Sequence, residues 1–199
     1  LPKRLGIEMM SISAHKIHGP KGVGALYANK SIKIRPILYG GGQESMLRSG
    51  TENVPGISGF GLAAEMVFDN LQGNIDKVRE LKELFLETLG SNIDEYRVVS
   101  PPDSLPNIVN ISFSNVKSEV LLHHLEEKKI FVSTGSACSS RKNVHSHVLQ
   151  AVGLPACDIE GAVRFSISAQ NTEEDIKNTV SALKEIVPVI QIKKHKGAK

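Results

Sequence analysis

Met9-Met10-Ser11-Ile12-Ser13-Ala14-His15-Lys16-Ile17-His18-Gly19-Pro20-Lys21-Gly22 decides how this chain is read. The run from Met9 to Ser13 predicts a short buried strand, with Lys16 just past its C-terminal end. That is the end at which α/β sheets bind ligands. Gly19-Pro20-Lys21-Gly22 is a turn, and Val23 to Ala28 predicts a second strand. A lysine is ordinarily a solvated surface charge. A lysine acting as a nucleophile needs desolvation or cationic neighbours to free its amine, and here His15 and His18 stand beside it. The segment therefore offers Lys16 as a covalent catalyst.

Working outward, Ile34 to Tyr39 predicts another extended piece, ending in Gly40-Gly41-Gly42. Gly40 to Asn53, with Arg48, Ser49 and Thr51, reads either as a flexible loop or as a phosphate-binding stretch of close-approach glycines and hydrogen-bond donors. From Gly56 the period becomes helical. Ile57, Phe60, Gly61, Ala64, Val67, Phe68 and Leu71 share one face, and after Gly73 Ile75, Val78, Leu81, Leu84 and Phe85 do the same to about Leu89, with Gly90 as the cap. Val109, Ile111 and Phe113 then alternate with Asn110 and Ser112, the pattern of a half-buried strand. Ser118 to Lys129 predicts a helix and Ile130 to Ser133 a strand; Val163, Phe165 and Ile167 alternate with Arg164, Ser166 and Ser168. Thr172-Glu173-Glu174-Asp175 opens a last helix as a capping box, carrying Ile176, Val180, Leu183 and Val187 before Pro188. From about residue 92 this is an α+β unit whose sheet is covered on one side.

The second chemical signal is Ser133-Thr134-Gly135-Ser136-Ala137-Cys138-Ser139-Ser140. Small polar residues cannot bury themselves, so residues 135 to about 145 are expected to be mobile. Arg141 and Lys142 favour the Cys138 thiolate. Cys157, between Pro155-Ala156 and Asp158, lacks these features and reads as structural. Arg164 is either a surface charge or a bidentate grip on a carboxylate. Cys138, His145 and His147 match no common zinc spacing, so no metal is expected.

The 199 residues carry a net charge of +3, more than accounted for by Lys193, Lys194, Lys196 and Lys199 in the C-terminal tail. That basicity is local and argues against a nucleic-acid footprint, as do 5% aromatic residues and the absence of Trp. No apolar run has the length of a membrane span. Two cysteines make no disulfide framework and suit a reducing, cytoplasmic setting. Because it opens on Leu1 and reaches Lys16 so early, the chain is expected to be part of a longer protein.

Ser-Ala-His-Lys-Ile-His-Gly-Pro-Lys-Gly-Val-Gly resembles the lysine motif of the cysteine desulfurases, pyridoxal-phosphate (PLP) enzymes of the class V aminotransferase group. The resemblance is to the branch with a long-loop Ser-Ala-Cys sequence. Gly-Gly-Gly-Gln-Glu, Arg-Ser-Gly-Thr and Asn-Val-Pro-Gly resemble that family's central loop, Ser-Thr-Gly-Ser-Ala-Cys-Ser-Ser its catalytic loop, and Val-Arg-Phe-Ser its late strand. The resemblance runs to about Val187.

It implies fold type I, an α/β architecture, with residues 1–55 as the C-terminal end of the large PLP-binding domain and 56–91 as linking helices. Residues 92–188 would be the small α+β domain bearing the cysteine loop, and 189–199 a basic tail. It further implies that Lys16 carries the cofactor and that Ser13 and His15 hold its phosphate. Thr51 would reach the phosphate of a partner subunit, making a homodimer with shared sites. Arg164 would bind the carboxylate of L-cysteine, and Cys138 would accept its sulfur for a sulfur-acceptor or iron–sulfur scaffold protein. Alternatives are a selenocysteine lyase-like enzyme and a non-catalytic fragment that docks sulfur acceptors. In the family, the residues that stack on the cofactor ring and pair with its pyridine nitrogen precede the lysine motif. The chain by itself is therefore expected to bind PLP weakly. Glu8 also stands where relatives commonly have Asp.

Overall fold

Val109, Ile111 and Phe113 are fully buried, and the strand they define organises the larger part of the molecule. The computed structural model describes residues 2–135 and 146–192. Cys138, Arg141, Lys142 and His145, the mobility expected of their segment, and the tail lysines lie outside the described residues. The chain divides into two units, Leu1–Leu71 and Gln72–Lys199.

The first unit begins with an antiparallel pair, β1 (Met9–Ser13) and β2 (Gly24–Ala28), running from Met9 opposite Ala28 to Ser13 opposite Gly24. Gly24 is required there, because a Cβ would come within 2.5 Å of the Ile12 carbonyl oxygen. The expected burial of β1 is not found. Only Met10 is even partly covered, and Met9, Ile12 and Leu26 are exposed. A two-stranded ribbon cannot enclose an apolar face by itself. Ile34 to Tyr39 forms no strand either, and Ile37 and Tyr39 project outward. Helix α1 (Val54–Asp69) starts two residues earlier than its period indicates. The Asn53 side chain accepts from the Gly56 N–H at 3.2 Å, and Pro55 occupies its first turn. Its helical period is real, but Ile57 and Phe68 are exposed, and only Gly56 and Ala63 are buried.

The second unit contains the core. Helix α2 (Leu71–Gly90) contributes Val78, Leu81, Phe85 and Leu89 to it, so the boundary between units falls inside the stretch read as linking helices. Strands β3 (Tyr96–Val98), β4 (Ile108–Phe113), β5 (Ser133–Thr134) and β6 (Ala162–Ser166) form one antiparallel sheet in the order β3-β4-β6-β5. One face packs against α2, α3 (Ser118–Glu127) and α6 (Glu173–Ile190), with the Phe85 and Phe165 rings 5.0 Å apart at its centre. The alternation of β6 is as read: Val163 and Phe165 are buried, Arg164 and Ser166 exposed. The Thr172–Asp175 capping box is formed, and α6 continues two residues past Pro188.

Two expectations are corrected here. The strand read over Ile130 to Ser133 is reduced to Ser133–Thr134. The sheet is also partly covered on its second face. Short helices α4 (His147–Ala151) and α5 (Ala156–Glu160) bring Leu149, Leu154 and Ile159 over Ala162. They account for the burial of Ser112, whose hydroxyl donates to the Asp158 carbonyl at 2.6 Å. That cover ends before Arg164, which stays open to solvent.

Candidate active site

Lys16 lies on a single-turn 3-10 helix, Ala14–Ile17, that directly follows β1. Small residues hold this turn in place. Ala14 is completely buried, and an added Cβ on Gly19 would lie 3.1 Å from the Ala14 Cβ and 3.2 Å from the Ala63 Cβ of α1. Gly59 of α1 meets Pro20 in the same way, at 2.7 Å from its Cγ. His18 ends the turn in the left-handed region, at φ 63°, where the Gly19 N–H reaches back to the Ala14 carbonyl at 2.9 Å. The Gly-Pro sequence therefore fixes the backbone on which Lys16 is carried.

Ser13, His15 and Lys16 are all exposed, and no hydrogen bond or ion pair among the described residues engages their side chains. A hydroxyl, an imidazole and a primary amine thus stand within four residues with their polar ends free. This donor set suits the covalent-attachment and phosphate ends of a cofactor such as PLP. The desolvated setting expected for Lys16 is not formed, for the same reason that β1 is not buried. Thr51 is exposed on the strand-free stretch before α1. Just ahead of it, Arg48 Nη1 donates to the Ser49 carbonyl at 2.7 Å, Ser49 Oγ to the Gly41 carbonyl at 2.8 Å, and the Gly50 N–H to Gln43 Oε1 at 3.2 Å. The Gly-Gly-Gly-Gln and Arg-Ser-Gly motifs are therefore tied to each other. Glu44, Ser45 and Met46 between them take positive φ, an uncommon run for residues with side chains.

Arg164 lies in the other unit, on the uncovered part of the sheet. Its Nη2 donates to Ser133 Oγ at 3.3 Å, and Ser133 is its direct partner across β5 and β6. Ser133 opens the segment that leads to Cys138. The far end of that segment returns to the same place: a Cβ on Gly135 would lie 3.0 Å from the Ser146 Cβ. Ser146 caps α4, its Oγ accepting from the Leu149 N–H at 3.4 Å.

Reading the sequence identified Arg164 but missed its neighbours Ser133 and Asn110. The alternation of β4 put Asn110 on the polar face, which was the available signal; the strand register that sets it opposite Arg164 was not. Cys157, read as structural, is exposed at the start of α5, its thiol directed at Asp158 Oδ1 at 3.8 Å. Among the described residues no cluster of His, Cys, Asp and Glu could hold a metal, and no helix is long and apolar enough to cross a membrane.

The class-V aminotransferase family profile matches residues 2–179. The chain is 42% identical over 184 residues to a cysteine desulfurase of Dictyoglomus turgidum, covering 92% of this chain and 47% of that protein. It is also 42% identical over 188 residues to a cysteine desulfurase of Clostridium botulinum, covering 93% and 47%. The crystal structure of a NifS-like protein from Rickettsia africae superposes with a TM-score of 0.85 at 35% identity, covering 94% of this chain and 49% of that one. The chain thus spans about half the length of the relatives it matches, and its mixed α/β architecture is that of the matching half.

Proposed function

The chain belongs to the class-V aminotransferase family and is a homologue of cysteine desulfurases, and from that premise we propose that it is the C-terminal part of an enzyme that takes sulfur from L-cysteine. The observation that carries this reading is the bond from Arg164 to Ser133. It ties a guanidinium suited to a carboxylate to the strand that leads into the cysteine segment. Five residues of chain span at most about 18 Å, which bounds the separation of Cys138 from Ser133 by covalent reach alone.

The family uses PLP, which when bound supplies an electron sink for the carbon bearing the amino group. In this reading Lys16 holds the cofactor, Ser13 and His15 take its phosphate, and Thr51 reaches the phosphate in a second copy of the chain. Arg164 grips the carboxylate of L-cysteine in a fork-to-fork pair. The Lys16 amine would move the proton on Cα. The Cys138 thiolate then attacks the substrate's sulfur. The S–S bond forms as the C–S bond breaks, its electron pair stays on carbon, and that carbon takes up a proton to leave alanine. The sulfur remains on Cys138 as a persulfide for an acceptor protein, in a compartment reducing enough to keep both cysteines free.

Cys138→Ala in the full-length enzyme tests the assignment. The variant should bind PLP and still lose persulfide formation and alanine release with L-cysteine. Undiminished alanine release would overturn the mechanism. The exposure of Lys16 favours a second reading for the isolated chain: it holds PLP poorly, and its activity requires the rest of the polypeptide.

A further inference from the structure

Asn110, Arg164 and Ser133 form one rung across β4, β6 and β5: the register sets Asn110 opposite Arg164, and Arg164 opposite Ser133. Directly opposed residues point to the same face of a sheet. The Asn110 backbone is turned away from β6, since its N–H donates to Ser100 Oγ at 2.8 Å and its carbonyl accepts from the Val99 N–H at 2.8 Å. The Asn110–Arg164 pair is therefore of the narrow, non-hydrogen-bonded kind, in which side chains lie closest.

On that rung one polar atom is unaccounted for. Asn110 Oδ1 is shielded from solvent and has no hydrogen-bond partner among the described residues. An acceptor left so is costly. Directly opposite on the rung is Arg164, whose guanidinium has five N–H donors, of which Ser133 uses one. The Asn110 oxygen would take a second. A bidentate carboxylate takes two more, so the two roles do not compete.

We propose that Asn110 is a positioning residue for Arg164, its amide oxygen accepting a guanidinium N–H so that, with Ser133 on the other side, the fork is held with its free edge outward toward the substrate carboxylate. This rests on the reading of Arg164 as the carboxylate grip.

Two measurements test it. In nitrogen-15 spectra of the 199-residue chain, the Arg164 Nε–H signal is assigned by its absence in Arg164→Lys. Asn110→Leu should speed its solvent exchange by about tenfold, as expected for losing a hydrogen bond to a charged group, while Asn110→Asp should keep it slow. In the full-length enzyme, Asn110→Leu should raise KM for L-cysteine about tenfold with a smaller change in kcat, and add nothing in an Arg164→Lys background. Guanidinium signals unmoved at Nε–H and Nη–H alike overturn the proposal. So does a lower Tm and kcat at unchanged KM, which marks a merely structural asparagine. An unchanged KM in Arg164→Lys overturns instead the carboxylate reading beneath it.

Discussion

Lys16 and Lys21 are both exposed, five residues apart, and differ in where the backbone holds them. Lys16 sits on the turn fixed by Ala14, Gly19 and Ala63, whereas Lys21 lies beyond Pro20 in the turn toward β2. Borohydride reduction of the full-length enzyme loaded with PLP, followed by peptide mapping, should label Lys16; a label on Lys21 would overturn the assignment. Asp175 gives a different kind of test. Its carboxyl is held below its usual value of 3.8 first by the Thr172 backbone N–H, then by the Asn171 and Thr172 side chains. Because the folded value is the lower one, the fold favours the ionised form. The added stability is complete above the unfolded value and drains away as pH falls from about 3.8 through the folded value. Thr172→Ala should cost about 1 kcal/mol near neutral pH. The gap between wild type and Asp175→Asn should narrow in acid, and a gap that widens there would contradict the direction given. Chemical denaturation across pH measures both.

Among the elements, those that carry the core were legible and those that depend on a partner surface were not. Val109, Ile111, Phe113, Val163 and Phe165 alternate in the sequence and are buried as read, because each strand has helices on that side. β1 reads as a buried strand and α1 has a clear helical period, yet Met9, Ile12, Ile57 and Phe68 are exposed. Periodicity reports which face wants cover and says nothing of whether the cover is within the same chain. The candidate site divides likewise. Lys16 and Arg164 stand out by motif, whereas Ser133 and Asn110 become visible only once strand register is known. Glycine chemistry makes the element scale testable. A Cβ on Gly161 would lie 2.2 Å from the Phe113 carbonyl oxygen, inside the pairing that joins β4 to β6. Gly161→Ala should therefore destabilise the second unit by about 1–3 kcal/mol or more, as overpacking does. By contrast a Cβ on Gly61 meets nothing, and Gly61→Ala in mid-helix should be stabilising by about 0.5–1 kcal/mol. Thermal melts of the pair decide the point: equal losses would mean that the contact at Gly161 is not the cause.

Across the whole molecule, buried apolar surface is distributed very unevenly. Both hydrophobic clusters lie between Val78 and Val187, while among the described residues of the first unit Ala14 and Ala63 are the only buried apolar side chains. Folding must offset about 1–2 kcal/mol of backbone entropy per residue, and two alanines supply little toward that. A chain of residues 72–199 should therefore unfold cooperatively in urea, with dispersed NMR signals, whereas residues 1–71 alone should show neither. The same asymmetry bears on the cofactor. The residues proposed to hold PLP, Ser13, His15, Lys16 and Thr51, all fall in the part with the least internal support, and Arg164 in the part with the most. The isolated chain should accordingly keep the Arg164–Ser133 bond while binding PLP weakly, and full-length protein should bind it tightly. Titration with PLP followed by absorbance, on both proteins, measures the difference. Equal affinity would show that the first unit is a complete cofactor site by itself, contrary to the exposure of Lys16 and the thin core beneath it.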